Sequence, residues 1–290
     1  MYPSRFRYEA PSTLDEAIAL LSANADAKVL AGGQSLIPMM KLRFAAPAVL
    51  VDINNIPGLD YHRADRDGAF RIGALCRHVD LEKSTILAEH QPTLAAAAPL
   101  VADPIVRTRG TFVGSVCHAD PQGDWASTMV ALDGSIVAQG PGGRREIPVN
   151  DFVYGPFQTV LAPNEIAIEA VIPAARGTRA GGYLKLERRV GDFATAGVAV
   201  ALEMNGTQVT KAGIGLTGVG ASTINASAAA DALVGTSLEP DAVETAARLA
   251  AEASNPRSDH RGSADYKRHV VSTFVTRILA GVQRTEQKVA

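Results

Sequence analysis

The chain changes rhythm at Ala174-Ala175-Arg176-Gly177-Thr178-Arg179-Ala180-Gly181-Gly182, and this change limits its fold more than any other feature. Before it, short apolar runs alternate with amphipathic ones, the pattern of α/β units. After it come three strand-like runs in series (183–188, 194–203, 208–216) and then three helical stretches (226–233, 240–253, 264–279). Strands in series followed by helices in series read as α+β. The break itself has linker composition. The predicted class is α+β, with domains at 1–176 and 177–290. At about 100–200 residues per domain, both have room for a full core.

In the first part, Thr13 precedes Leu14, Ala17, Ile18 and Leu21, which share a helical face, and Thr13 with Glu16 has capping-box spacing. Residues 28–31 read as a strand, Gly32-Gly33 as a turn, and a short helix is predicted from Ser35, with Pro38 tolerable only in its first turn. Residues 49–53, 69–74 and 166–173 read as strands, and 81–87, 93–101 and 125–132 as helices. Residues 141–145 read as a hairpin turn. The segment 101–121 holds Pro104, Gly110, Gly114 and Pro121 and reads as one long structured loop, a kind of segment that tends to carry function.

Charge and composition remove several function classes. Lys+Arg total 28 and Asp+Glu 30, leaving a net charge of −2, with no basic run, so no nucleic-acid surface is expected. Aromatics at 5% supply no base-stacking platform. The longest apolar stretch, Leu94 to Ala102, is nine residues; a membrane helix needs about 20. The opening MYPSRFRYEAP has no apolar core of a secretory signal, so a cytoplasmic location is expected. The two cysteines, Cys76 and Cys117, fall short of the four thiolates a [2Fe–2S] cluster takes and read as free and buried; no metal site is predicted.

Two glycine segments carry the chemistry. AGGQS (31–35) lies between a strand and a helix, where bare backbone and first-turn amides can converge on an anion, with Ser35 adding a hydroxyl. RGTFVGS (109–115) is a second glycine-bearing turn, followed by His118, Asp120 and Asp124. Together they point to a bound diphosphate or dinucleotide. Arg107 and Arg109 are candidate phosphate partners, or are solvated or paired with Asp103. His118 and Asp120 have acid–base potential or close the loop structurally. Asp124 either accepts from a nucleotide hydroxyl or caps the helix beginning near Trp125. Gly213-Ile214-Gly215-Leu216-Thr217-Gly218 matches G-x-G-x-x-G but opens no helix, so Gly213 and Gly215 read as strand glycines with close neighbours.

AGGQSLIPMMKLR, RTRGTFVGSVCHADP and LERRVGDFATAG, in this order and spacing, resemble the FAD-binding medium subunits of molybdenum hydroxylases, the xanthine dehydrogenase and carbon monoxide dehydrogenase family. The resemblance runs from FRYEAPSTLDEA to GSADYKRH. It implies a PCMH-type FAD-binding domain of two α/β subdomains (about 1–57 and 58–176), then a smaller α+β flavoprotein domain. Carried over by position, Val29, Leu30, Ala31, Gly32, Gly33, Gln34, Ser35 and Leu36 form the first FAD loop, and Thr111, Val113, Gly114 and Ser115 the second. Asp124 matches an FAD-contacting aspartate, Lys185 a flavin-contacting lysine, Ala167 a backbone contact and Phe193 a residue over or beside the isoalloxazine; Val101, His118 and Asp120 complete the cofactor set. As residues alone, Lys185 also fits an exposed strand lysine and Phe193 a core aromatic.

This sequence departs from the family twice. The second loop is usually Thr-(Ile/Leu)-Gly-Gly-(Ser/Asn), and Val113 stands at the first of these glycines, where a positive φ would strain it. Gln34 stands where the carbon monoxide dehydrogenase chain has histidine, which weakens carbon monoxide as the substrate. The resemblance implies an electron-transfer subunit without catalytic side chains of its own. Its FAD would take electrons from two [2Fe–2S] clusters on a small subunit, substrate being oxidised at a molybdopterin cofactor on a large one, in a dimer of heterotrimers in the cytoplasm or at the inner face of the membrane. The competing readings are a self-sufficient FAD-dependent oxidoreductase and a flavin-free assembly subunit.

Overall fold

The computed structural model describes residues 2–289. It opens with a parallel sheet in which β1 (Arg7–Glu9) and β2 (Ala27–Leu30) flank β3 (Val49–Asp52), with helices α1 (Leu14–Ala23) and α2 (Leu36–Lys41) as crossovers. Thr13 caps α1, its hydroxyl accepting from the Glu16 amide at 3.2 Å. Glu16 reaches back to the Ser12 amide at 2.9 Å rather than to Thr13, one residue beyond the expected capping box. Ala17, Ile18 and Leu21 bury against Val49, Val51 and Ile53. Pro38 sits in the first turn of α2, where a missing N–H costs no helical bond.

The second unit is built on an antiparallel sheet. Strands β4 (His62–Ala64) and β5 (Phe70–Gly73) lead into helices α3 (His78–Glu82), α4 (Thr85–His90), α5 (Pro92–Ala97), α6 (Pro104–Arg107), α7 (Phe112–His118) and α8 (Asp124–Ala131). Then come the hairpin β6 (Ser135–Gly140) and β7 (Gly143–Pro148), whose turn is Pro141-Gly142, residues 143–145 of the predicted turn already lying in β7, helix α9 (Val149–Phe152), the small hairpin β8 (Val153–Gly155) and β9 (Gln158–Thr159), and β10 (Ile166–Ile172). The sheet order is β4-β5-β10-β6-β7. Helix α8 is buried at every position.

Two expectations fail here. The segment 101–121 is not a loop: it contains α6 and α7. Asp103 caps α6, accepting from Val106 N at 2.8 Å, and Pro104 occupies the first helical position, where proline is favoured. The predicted helix over 81–87 is likewise broken, because Ser84 caps a new helix through Leu87 N at 2.9 Å.

The third unit is the sheet β11 (Thr178–Leu186), β12 (Ala196–Asn205), β13 (Gln208–Thr217) and β14 (Ile224–Asn225), covered on one face by α10 (Ser227–Asp231), α11 (Pro240–Ala253) and α12 (Ala264–Val289). Its other face rests on α5 and α8 of the second unit. The stretch read as linker is in part ordered sheet: Thr178 already pairs with Met204, and Gly181, at φ +141°, lets β11 pass close to Val200 and Thr93. Gly213 and Gly215 lie in β13, where a Cβ would collide with the Ala131 and Ser127 carbonyl oxygens. These are strand glycines with close backbone neighbours, as the sequence predicts.

Candidate functional site

The loops after β2 and β3 both leave the carboxyl edge of the parallel sheet, where such sheets bind ligands. The first loop is Ala31–Ser35. Gly33 adopts φ +74°, a region open to glycine and strained for other residues. Among the described residues the Gly33, Gln34 and Ser35 amides donate no hydrogen bond, and the Ser35 hydroxyl leaves the start of α2 uncapped.

Gly32 joins this loop to the second. A Cβ there would collide with the Arg109 carbonyl oxygen and stand 2.8 Å from Gly110 Cα, so only glycine permits this approach. The contact is clamped by residues that the sequence does not single out. Asn54, just past β3, donates to Ala31 O at 2.9 Å and accepts from Arg77 Nη2 at 2.5 Å. Arg77 donates in turn to Arg109 O at 2.5 Å. Beneath Gly110 lies His78, whose amide donates to Gly110 O at 3.0 Å. Trp125 Nε1 donates to His78 Nδ1 at 3.0 Å, and burial pulls the imidazole down to about 4.

Thr111 opens α7 without capping it. Its hydroxyl oxygen is buried and has no partner, and among the described residues the Val113 and Gly114 amides donate no hydrogen bond. Val113 is helical and buried, so the departure from the family's glycine brings no positive φ and no strain. Gly114 is a helix residue whose Cβ would sit 2.5 Å from Thr111 Oγ1, not a turn residue. Arg77 and Arg109 stand near enough that Arg109's charge, after burial itself, lowers Arg77's proton affinity, and neither forms a salt bridge among the described residues. Unpaired amides, an orphaned hydroxyl and two guanidinium groups without a salt bridge among the described residues, beside a glycine seat, fit the diphosphate of FAD.

The remaining candidates are distributed differently from expectation. Arg107 is no phosphate partner: it is buried and held by Glu82 at 2.8 and 3.2 Å and by the Val101 and Ala102 carbonyls. Asp124 does not cap α8; Gly123 takes that place, and Asp124 is buried in the first turn. It accepts from Tyr183 Oη at 2.6 Å and Lys185 Nζ at 3.2 Å; burial holds its carboxyl above the usual carboxylate range, and the Lys185 charge opposes the rise. Lys185 is not an exposed strand lysine. Its side chain is 1% exposed and donates to Leu100 O at 2.6 Å, beside Val101.

Phe193 is half exposed on the loop after β11, so it is not a core aromatic. Ala167 lies in β10 at a bulge. His118 packs its ring at a tilt against Phe157, with centroids 5.1 Å apart, and Asp120 accepts from the Gln122 amide at 2.9 Å; among the described residues no hydrogen bond joins the two, and the Asp120 charge only partly offsets the lowering of His118 by burial. Cys76 and Cys117 are free thiols, and burial raises Cys117 to about 12.

The geometry agrees with what comparison finds. Residues 4–175 match the FAD binding domain in molybdopterin dehydrogenase, and residues 182–282 match the CO dehydrogenase flavoprotein C-terminal domain. The chain is 42% identical to the carbon monoxide dehydrogenase medium chain of Hydrogenophaga pseudoflava, over 96% of this chain and 97% of that one. It is 36% identical to the nicotine 6-hydroxylase medium subunit of Paenarthrobacter nicotinovorans, over 94% and 95%. The solved carbon monoxide dehydrogenase of Hydrogenophaga pseudoflava superposes with a TM-score of 0.93, covering 98% of this chain and 99% of that one. Quinoline 2-oxidoreductase from Pseudomonas putida 86 superposes at 0.90 with 31% identity, covering 99% of each chain. The glycine seat and the matched architecture lead to one assignment: the chain belongs to the FAD-binding medium subunits of molybdenum hydroxylases, as the flavin-carrying part of an oxidoreductase complex.

Proposed function

We propose that this chain is the electron-relay subunit of its complex. It takes electrons from [2Fe–2S] clusters on a small subunit, which receive them from a molybdopterin cofactor on a large subunit, and passes them to an external acceptor such as a quinone, dioxygen, a cytochrome or NAD. The carrying observation is the Gly32–Arg109 seat, with the orphaned Thr111 hydroxyl and the Arg77/Arg109 pair beside it. Residues 29–36 and 111–115 would hold the diphosphate, with Asn54 and Arg77 fixing the distance between their loops. Bound FAD supplies the redox chemistry, accepting electrons singly and releasing them singly or in pairs. The protein binds, orients and sets the charge around it.

The cysteine inventory supports entry of electrons from another chain, since two cysteines fall short of a cluster's four ligands. The relatives support a role independent of substrate. Their names span carbon monoxide, nicotine and glyceraldehyde, while the medium chain stays alike along nearly its whole length. The same reading places the domain boundary at 176/177, the complex as a dimer of heterotrimers and its location in the cytoplasm. Among the described residues no helix is long and apolar enough to cross a membrane.

The test is direct. Purified chain is expected to be yellow, and its flavin absorption to bleach on mixing with the reduced iron–sulfur partner. A flavin that stays oxidised beside that partner would refute the relay.

A further inference from the structure

Strand β11 ends in Tyr183-Leu184-Lys185-Leu186, and Glu187 follows it. A two-residue period sends Leu184 and Leu186 toward the core of the third unit and puts Tyr183, Lys185 and Glu187 on the opposite face, against the start of α8. There the Lys185 ammonium has three neighbours for its three N–H groups. They are Leu100 O at 2.6 Å, Asp124 Oδ2 at 3.2 Å and Glu187 Oε2 at 3.3 Å. Asp124 Oδ1 is already engaged by Tyr183 Oη at 2.6 Å. Glu187 Oε2 is buried, and its approach to Lys185 is an ion pair without an aligned hydrogen bond. With both carboxylates ionised, one cation faces two anions.

A buried carboxylate is costly without a partner, and Lys185 is the only cation paired with Glu187 among the described residues. Glu187 also begins the loop that carries Phe193, a loop closed by Thr195 N donating to Leu186 O at 2.7 Å. The same short segment therefore sets Lys185's third contact and presents the half-exposed aromatic.

We propose that Glu187 is a positioning residue for the flavin reaction: it draws the Lys185 ammonium back into the Leu100–Asp124 corner and so sets the positive charge that bound FAD meets. The inference rests on the FAD reading above. Reduction adds negative charge to the flavin ring system, so a nearby cation favours the reduced form and a carboxylate holding that cation back opposes it. Replacing Glu187 by a neutral side chain removes one negative charge from beside the ammonium and raises the potential.

The experiment is a spectroelectrochemical titration of the FAD-loaded chain. Glu187→Gln is expected to keep full FAD occupancy and to shift the potential to more positive values, with Glu187→Asp falling between it and wild type. Combined with Lys185→Gln, the Glu187→Gln shift is expected to shrink, the signature of a residue acting through its neighbour. Lys185→Gln alone, with Glu187 intact, is expected to lower the potential, and it carries the test should Glu187→Gln not fold. A wild-type potential in flavin-replete Glu187→Gln, an equal shift with and without Lys185, or an unmoved potential in Lys185→Gln each overturns the proposal. A colourless wild-type chain overturns the FAD reading and the proposal with it, and is visible before any potential is measured.

Discussion

Gly32 rests with its backbone against the carbonyl of Arg109, so two loops 77 positions apart in the sequence meet where neither has a side chain to spare. Gly32→Ala places a methyl group against backbone atoms, which yield far less readily than the end of a flexible side chain. Overpacking of this kind costs about 1–3 kcal/mol. The expected outcome is a folded protein with FAD affinity weakened by ~10-fold or more, since 1.4 kcal/mol is tenfold. Flavin retained through desalting, set against the circular-dichroism melt, checks it. Wild-type retention would show that the loops need not meet at this distance.

Thr111 gives a prediction whose sign changes with the ligand. Its hydroxyl oxygen is buried without a partner. Thr111→Val keeps the shape and removes the unsatisfied group, so the flavin-free protein is expected to be as stable as wild type or more stable by ~1 kcal/mol. The same change removes a donor from the FAD seat, so affinity for FAD is expected to fall. Melting curves and fluorescence titration with FAD measure the two sides. A loss of apo stability without a loss of affinity would make Thr111 a packing residue.

Local rules made part of this legible in the sequence. Thr13 as a helix start, Pro38 and the paired Gly213/Gly215 each obey a constraint carried within a few residues and stand as read, while Glu16 closes on Ser12 instead of Thr13 and the turn read over 141–145 narrows to Pro141-Gly142. Segment 101–121 misled because its glycines and prolines look like loop residues. Pro104 sits where a helix tolerates proline, and Gly114 serves close packing on Thr111 inside a helix. What holds the loops together was out of reach for a different reason. Asn54, Arg77 and His78 belong to no motif, and their roles come from contacts 23, 32 and 47 positions away in the sequence. Arg107 failed in the same way, taken by Glu82 25 residues earlier.

His78 links this seat to pH. Burial, with Arg107 and Arg77 adding to it, lowers the imidazole from 6.5 to about 4, and its Nδ1 is an acceptor for Trp125. Between those values the unfolded chain binds a proton that the folded chain refuses, so stability present above pH 6.5 is lost as pH falls toward about 4. The contribution is roughly 3 kcal/mol. His78→Gln keeps an acceptor for Trp125 without a titrating ring, so its melting temperature is expected to fall less steeply over that window. Because Gly110 lies on His78, the wild type is also expected to release FAD over the same acid range. Parallel wild-type and variant curves would assign the acid limb to another group.

The last prediction concerns the seam that carries Asp124. Helix α8 lies so close to β13 that a Cβ on Gly215 would collide with the Ser127 carbonyl oxygen. Neither backbone can move without shifting its whole element, so Gly215→Ala is expected to cost about 1–3 kcal/mol, against almost nothing for Gly142→Ala, whose Cβ meets open space. The damage should not stop at stability. Asp124 stands in the first turn of α8 and accepts from Tyr183 and Lys185 on β11, so lifting the helix loosens both bonds. Flavin potential in Gly215→Ala is therefore expected to move along with the melt, while Gly142→Ala leaves both where they were. A destabilised Gly215→Ala with an unmoved potential would separate the packing of this seam from the charges it supports.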